Sequence, residues 1–591
     1  MDKNTATGLA LIFLLMLGWF YFTMPSEEEL AQQRREQAIQ DSLAALEQVE
    51  MLRDQRIAAE NEEIGERVPD QVQPVVNSQY FASVDTALMN TVVETPNYRI
   101  VFSNQGAAPI SFVLTGYNTW DGTPVELISD SAIAAYSLGF LSTENYNIDT
   151  KNLRFTPIRY QSSISVEEGG QAELTYALPA SNGGEILFTY TFFGDSHAME
   201  LDVTFKGTSS FIVGRSVDLG WTSPLPFTEK DKTQDALETT AYVYAGGELE
   251  KFKIDDSGAE DITINGTIDW VATKTKFFTQ IIKPTTPTEA AEMRGEVTGE
   301  SDDPLTRHDY TSSVRSDIPA NETISYQLYV GPMRYAELKD FDDHAYDMVD
   351  VGWSWLRWFS DPFVRFLVIP FFEFMSGIVS NVGIIIIIFA ASIKLVLSPL
   401  TYKSYKSMAA MQDLQPKMKE LQEKYKDNPQ KQQQETMKLY RKEKVNPLGG
   451  CLPNLLQFPI LITLWRFFQN SMLLRQEGFL WAQDLSAPDY IINLPFSIPF
   501  MGDQIAGFVL MMTAVMVVQS RLTGGASTGA TNPMAQQMKV MQYIFPVMLL
   551  FIFNNFASGL SLYYLIFNVL SVIQQIVIKR NIHAKKEAAS A

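Results

Sequence analysis

The chain has 591 residues, with 68 Asp+Glu against 46 Lys+Arg, a net charge of -22, four His and one Cys. A single Cys excludes a disulfide scaffold and any multi-Cys zinc or iron–sulfur site, and His197, His308, His344 and His583 are too scattered to suggest a His-built metal centre. No Gly-Lys pair exists, which excludes a P-loop, and no H-E-x-x-H, which removes the commonest zinc-protease reading; no cofactor or metal is expected, and the acidity argues against DNA binding unless basic charge is segregated.

Charge is in fact segregated. Residues 25–350 hold 23 basic and 54 acidic residues, net -31, and the rest hold 23 and 14, net +9. Hydrophobicity changes at the same boundary.

In chain order, 8–24 (GLALIFLLMLGWFYFTM) approaches the ~20 apolar residues of a membrane helix. It lacks a small-x-small cleavage site, so 1–25 reads as a retained anchor rather than a signal peptide. Residues 26–77 are a polar Glu/Gln/Ala/Arg linker. Residues 78–345 alternate short β-branched and aromatic runs with Gly, Asn and Asp turns, as in Tyr98–Phe102 and 185–193; this predicts a large all-β sandwich. Residues 350–376 are aromatic, carry Arg357, Asp361, Arg365 and Glu373, and are interrupted by Pro362 and Pro370. They predict an amphipathic helix lying in the membrane interface.

Five further spans are predicted, at about 380–400, 451–469, 504–520, 540–556 and 559–578, making six with the first. The 401–445 loop has 11 basic and 6 acidic residues, whereas 476–503 has four acidic residues and no Lys or Arg. Basic loops fall alternately, on one side, so both termini are expected to be cytoplasmic and the β domain outside. Within 401–445, Met408, Met411, Leu414, Met418, Leu421 and Tyr425 form a helical stripe broken at Asp427-Asn428-Pro429, and a second helix runs to Val445. The pair predicts a cytoplasmic helical hairpin. Residues 583–591 are a basic tail.

Polar groups inside the spans are the candidate site. Lys394 lies about six residues, ~9 Å, from the cytoplasmic end of its span. It either snorkels to the interface or faces a wet recess. Gln457 sits at matching depth in the next span, and is either packing glue or part of the same recess. Ser392 and Thr463 extend such a recess or bond to their own helix backbone. Tyr563 and Tyr564 line a path or anchor the outer interface. Asn554 and Asn555 cap the outer end of the fifth span. Met511, Met512, Met516 and Met548 are either core or an adaptable contact surface.

These residues carry a resemblance. Asn446-Pro447-Leu448-Gly449-Gly450-Cys451, Leu452-Pro453 and Gln457-Phe458-Pro459-Ile460 resemble the third-span signature of the YidC family of membrane protein insertases. Ser398-Pro399-Leu400-Thr401 after Lys394 resembles the end of its second span, and Ser558-Gly559-Leu560 with Leu562-Tyr563-Tyr564 its last hairpin. The resemblance is close over about 350–582. It implies a multidomain membrane protein: a helical bundle enclosing a hydrophilic groove open to the cytoplasm, with a periplasmic β-supersandwich similar to sugar mutarotases. It implies non-enzymatic insertion and folding of nascent inner-membrane proteins, alone or with the Sec translocon, with ribosome and membrane lipid as further partners. Lys394 stands where the family usually has Arg: the charge is kept, the planar fork is lost. By this reading Lys394, Gln457, Ser392, Thr463, Tyr563 and Tyr564 line the groove. It shortens the dry path for a substrate's polar tail, whose crossing lipid makes costly. Two rivals remain: a solute or proton transporter, and an enzyme in the β domain.

Overall fold

The computed structural model describes residues 80–81, 87–129, 134–254, 257–299, 307–320, 322–425, 429–443, 452–498, 501–524 and 544–590. The expected anchor 1–25, the linker 26–77 and the motif Asn446–Cys451 lie outside them. Contacts divide the chain into one unit of Val75–Gln412 with Leu448–Ala591 and another that contains Asp413–Pro447.

The β domain is built from three sheets of five, nine and six strands. Strand Glu185–Phe193 shows why they form: alternate residues of EILFTYTFF are buried, the period of a strand with one face on a core. Its partners are Gln171–Pro179 and Ala198–Lys206, both antiparallel. The nine-stranded sheet is one layer and the other two sheets cover it. Phe102 of the five-stranded sheet meets Tyr190 at 4.7 Å between ring centroids, and Tyr310 of the six-stranded sheet meets Phe252 at 6.0 Å. The expected sandwich is therefore a wide one with a split second layer. Helix α1 (Lys232–Glu238) is an insertion, capped by Asp231, whose carboxylate accepts from Gln234 N–H.

After the β domain the aromatic segment is helical but irregular. A 3-10 turn at Ser354–Leu356 leads into Arg357–Phe363, a π turn at Val364–Val368 and a final helix at Ile369–Ser376. Pro370 cannot donate a backbone hydrogen bond, and the wider turn before it absorbs the defect. Trp358, Phe366 and Phe374 are 76, 80 and 69 % exposed.

The helices that follow are α2 (Val382–Asp413), α3 (Leu452–Asn470), α4 (Gly507–Gly524), α5 (Ile544–Phe553) and α6 (Ser558–Ser590). Val382–Ser407 and Ser558–Ile582, of 26 and 25 residues, are long and apolar enough to cross a bilayer, whose ~30 Å core needs about 20 residues.

One expected boundary is corrected and two segments gain structure. Helix α2 does not stop near 400; it runs 13 residues further, because 401–413 contains no Gly or Pro and is rich in helix formers. The helical hairpin is accordingly shorter than 401–445. Its helices are Gln415–Lys424 and Pro429–Lys442, and Pro416, at the start of the first, marks the break that the apolar stripe hides. Lys417 pairs with Glu443 at 2.8 Å across this hairpin. Second, α6 continues to Ser590, so residues 583–590 extend a helix, as their Ala, Lys and Glu favour. Third, the acidic 476–503 loop contains a strand, Tyr490–Ile498, paired with Gly502–Ala506.

Candidate functional site

Lys394 is turned into the bundle and is 6 % exposed. Its ammonium donates to Ser571 Oγ of α6 at 2.6 Å and lies 4.6 Å from the Phe567 ring centroid. It therefore does not snorkel along the surface of its helix. Ser571 in turn donates to the Phe567 carbonyl at 2.8 Å, so its hydroxyl is already oriented. Two more contacts continue the seam. Thr401 Oγ1 donates to Gln574 Oε1 at 3.1 Å, and Gln574 Nε2 donates to Ser398 Oγ at 3.0 Å. Lys394, Ser398 and Thr401 follow i, i+4, i+7, one face of a helix, and Ser571 and Gln574 are one turn apart on the other. That polar face is present in the sequence as a period. Gln574 stands out as a polar residue in the last span, whereas Ser571 is the partner that residue type alone does not reveal.

The other expected groove residues are less united. Gln457 is half-buried, and its side-chain amide nitrogen is buried with no hydrogen-bond partner among the described residues. Ser392 donates to Ile388 O at 2.8 Å, its own helix. Thr463 donates to Pro459 O at 2.9 Å and meets Ser360 Oγ at 2.8 Å, which ties α3 to the helix Arg357–Phe363. Tyr563 is completely buried against Phe389 and Phe468, so it is no interface anchor. Tyr564 stacks on Phe553 of α5 at 5.7 Å. Met512 and Met516 are core, while Met511 is 39 % exposed. Asn554 does more than cap α5. It accepts from Ala506 N and donates to Met501 O and Gln504 O, at 2.9, 3.0 and 2.8 Å.

A second set of buried charges ties α3 to the β domain. Arg475, just past α3, pairs with Glu229 at 2.7 Å, with side chains only 2 and 10 % exposed. Arg475 also donates to Asn118 O at 2.6 Å and lies over the rings of Phe277 and Phe278. One helical stretch earlier, Arg466 pairs with Glu238 of α1 at 3.2 Å and with Asp350 at 2.9 Å. Gln469 donates to Gln234 of α1 at 2.7 Å. Behind this wedge Asp235 is fully enclosed and accepts from the backbone N–H of Thr228, Glu229 and Lys276. Burial, reinforced by the charge of Glu229, pushes its carboxyl up to about 6.

The β-domain histidines separate. His197 Nδ1 lies 2.7 Å from Glu337 Oε2 beside a cavity of about 290 Å³, whereas His308 lines another of about 450 Å³. His197 Nε2 is sealed from solvent and without a partner among the described residues, while Glu337, whose side chain is 28 % exposed, lines the same cavity.

The comparisons agree with these two halves. The family described as YidC periplasmic domain matches residues 90–366, and that described as 60Kd inner membrane protein matches 374–586. A membrane protein insertase YidC of Chlorobium phaeovibrioides is 38 % identical over 98 % of this chain and 95 % of its own. That of Chlorobaculum tepidum is 35 % identical over 100 % of this chain and 97 % of its own. A crystal structure of an active YidC insertase with its first transmembrane domain resolved aligns at 18 % identity over 84 % of this chain and 94 % of its own, with a TM-score of 0.31. On identity over its full length, the chain belongs to the YidC family of membrane protein insertases.

Proposed function

We propose that this protein inserts newly synthesised membrane proteins into the inner membrane, using the polar seam between α2 and α6 as the entry for the hydrophilic part of the substrate. One observation carries the reading: Lys394 is a buried ammonium in a membrane-crossing helix, held by a hydroxyl and by no carboxylate among the described residues. A structural lysine at that depth is expensive and is ordinarily neutralised. A hydroxyl holds it weakly, and an acidic side chain of a passing chain displaces it through a stronger, charge-assisted bond. Gln457, with its unpartnered amide, supplies a second polar contact. Thr463 and Ser392, bonded within their helices, shape the wall. Tyr563 and Tyr564 meet substrate once α6 shifts.

The wider arrangement is part of the same proposal. Six spans place both termini in the cytoplasm and the β domain in the periplasm. The anchor is 1–25, the linker 26–77, the β domain 78–345, the interfacial helix 350–376 and the insertase core 377–582. The basic hairpin and the basic end of α6 meet ribosome or anionic lipid, and the protein works alone or with the Sec translocon. Insertion consumes no nucleotide in this chain; burial of the substrate's apolar segment in lipid drives it.

The test is reconstitution of purified protein into vesicles with a small substrate whose translocated tail is acidic. Lys394→Ala is expected to lower insertion at least several-fold and Lys394→Arg to retain it. Equal insertion by all three proteins refutes the charge role. Solute flux without insertion of the test substrate favours a transporter instead. Photo-crosslinking from positions 394, 457 and 563 to a stalled nascent chain maps the path.

A further inference from the structure

The strand pair between α3 and α4 is covered differently from the sheets of the β domain. Tyr490–Ile498 reads YIINLPFSI, with no charged residue, and is exposed or partly exposed at every position. Tyr490, Ile491, Ile492 and Phe496 are 38, 52, 42 and 60 % exposed. A strand facing water on one side alternates polar and apolar residues, as Glu185–Phe193 does in burial; this one is apolar on both faces. Left in water, it would forfeit roughly 25 cal/mol for each Å² of apolar surface and expose a strand edge.

Its position shows what covers it. The second strand, Gly502–Ala506, passes directly into Gly507, the first residue of α4. Asn554 at the end of α5 binds Met501, Gln504 and Ala506, and Tyr490 donates to Asn555 Oδ1 at 3.1 Å. The pair is thus held at the level where α4 starts and α5 ends, rather than projecting away from it. The register runs from Asn493↔Gln504 to Ile498↔Gly502, so Leu494–Ser497 bulges out around Pro495, which has no N–H for a ladder. The bulge presents Phe496. On α4 itself, Met511 and Val518 are 39 and 52 % exposed.

We infer that this strand pair is an interfacial anchor, with Ile491, Ile492 and Phe496 resting at the boundary of acyl chains and headgroups at the end of the bundle where α4 begins. The inference rests on reading α4 as a span. Its occupant is lipid, because the pair runs straight into α4, an apolar helix with Met511 and Val518 exposed, and sits at the level where that helix starts and α5 ends.

The experiment uses the full chain with Cys451→Ser, reconstituted in phosphatidylcholine/phosphatidylglycerol vesicles. A nitroxide is placed in turn at Ile491→Cys, Phe496→Cys, Val518→Cys and, as a water reference, Ile262→Cys in the β domain. Collision with oxygen, which concentrates in lipid, is compared with collision with a water-soluble nickel chelate. Labels at 491 and 496 are expected to shift toward oxygen relative to 262, approaching the value at 518. A nickel-rich signal like that at 262 overturns the inference. Shielding from both reagents also overturns it, in favour of a protein partner or a second copy. A nickel-rich signal at 518 overturns the span reading itself, a failure distinct from that of the anchor alone.

Discussion

The ammonium of Lys394 in α2 rests 2.6 Å from the hydroxyl of Ser571 in α6, and Ser571 keeps its own backbone bond to Phe567. Among the described residues, the two helices long and apolar enough to cross a membrane are therefore joined by a charge on one and a neutral oxygen on the other. Such a joint is polar enough to position the lysine and too weak to neutralise it.

This imbalance predicts a trade between stability and activity. Lys394→Met removes a buried charge and leaves Ser571 satisfied by Phe567 O, so the fold gains about 1–3 kcal/mol. Insertion of substrates with acidic tails falls at the same time. Unfolding in detergent, measured beside the insertion assay, checks both. A variant that is less stable and fully active contradicts the assignment.

The wedge at the C-terminal end of α3 predicts the reverse. Arg475→Ala leaves the enclosed Glu229 without its partner, a loss of about 3–5 kcal/mol. Glu229→Gln costs less, since a neutral amide can still accept from Arg475. Limited proteolysis between the β domain and α3 reads the loosening directly, and a double-mutant cycle isolates the pair.

Asp235 predicts a pH dependence. Its carboxyl ionises near 6 in the folded chain, against 3.8 for an aspartate side chain free in water. The folded state therefore binds the proton more tightly, so acidification from pH 7 through 6 toward 4 adds stability through this group, about 2–3 kcal/mol for a shift of that size. Above pH 6 the contribution is lost. The stability of the wild type minus that of Asp235→Asn is expected to rise as pH falls from 7 to 5; a flat difference removes the cause.

Asn554 predicts a local failure. Asn554→Leu leaves Ala506 N, Met501 O and Gln504 O without their partner, at about 1–3 kcal/mol for each group that water cannot reach. Hydrogen exchange at 501–506 is expected to quicken while exchange in the β domain stays unchanged.

Much of this architecture is legible along the chain. Charge segregation at residue 350, strand grammar across 78–345 and apolar runs in the last third follow from composition and period, which are local. Lys394 stands out because a charge inside an apolar run is costly wherever the run folds. The helix ends are less legible: Pro399 sits inside α2 without ending it, and the stop comes at Pro416.

What the linear order does not supply is partnership. Depth along the spans matches Lys394 with Gln457, but its nearest oxygen belongs to Ser571, 177 positions away. Arg475 and Glu229 are 246 apart, and neither looks unusual alone. Residue type and spacing set which segments are helix, strand or membrane-crossing, because those preferences act over a few neighbours. Which buried charge meets which oxygen depends on how the elements pack, and that is settled by shape and desolvation across the whole molecule.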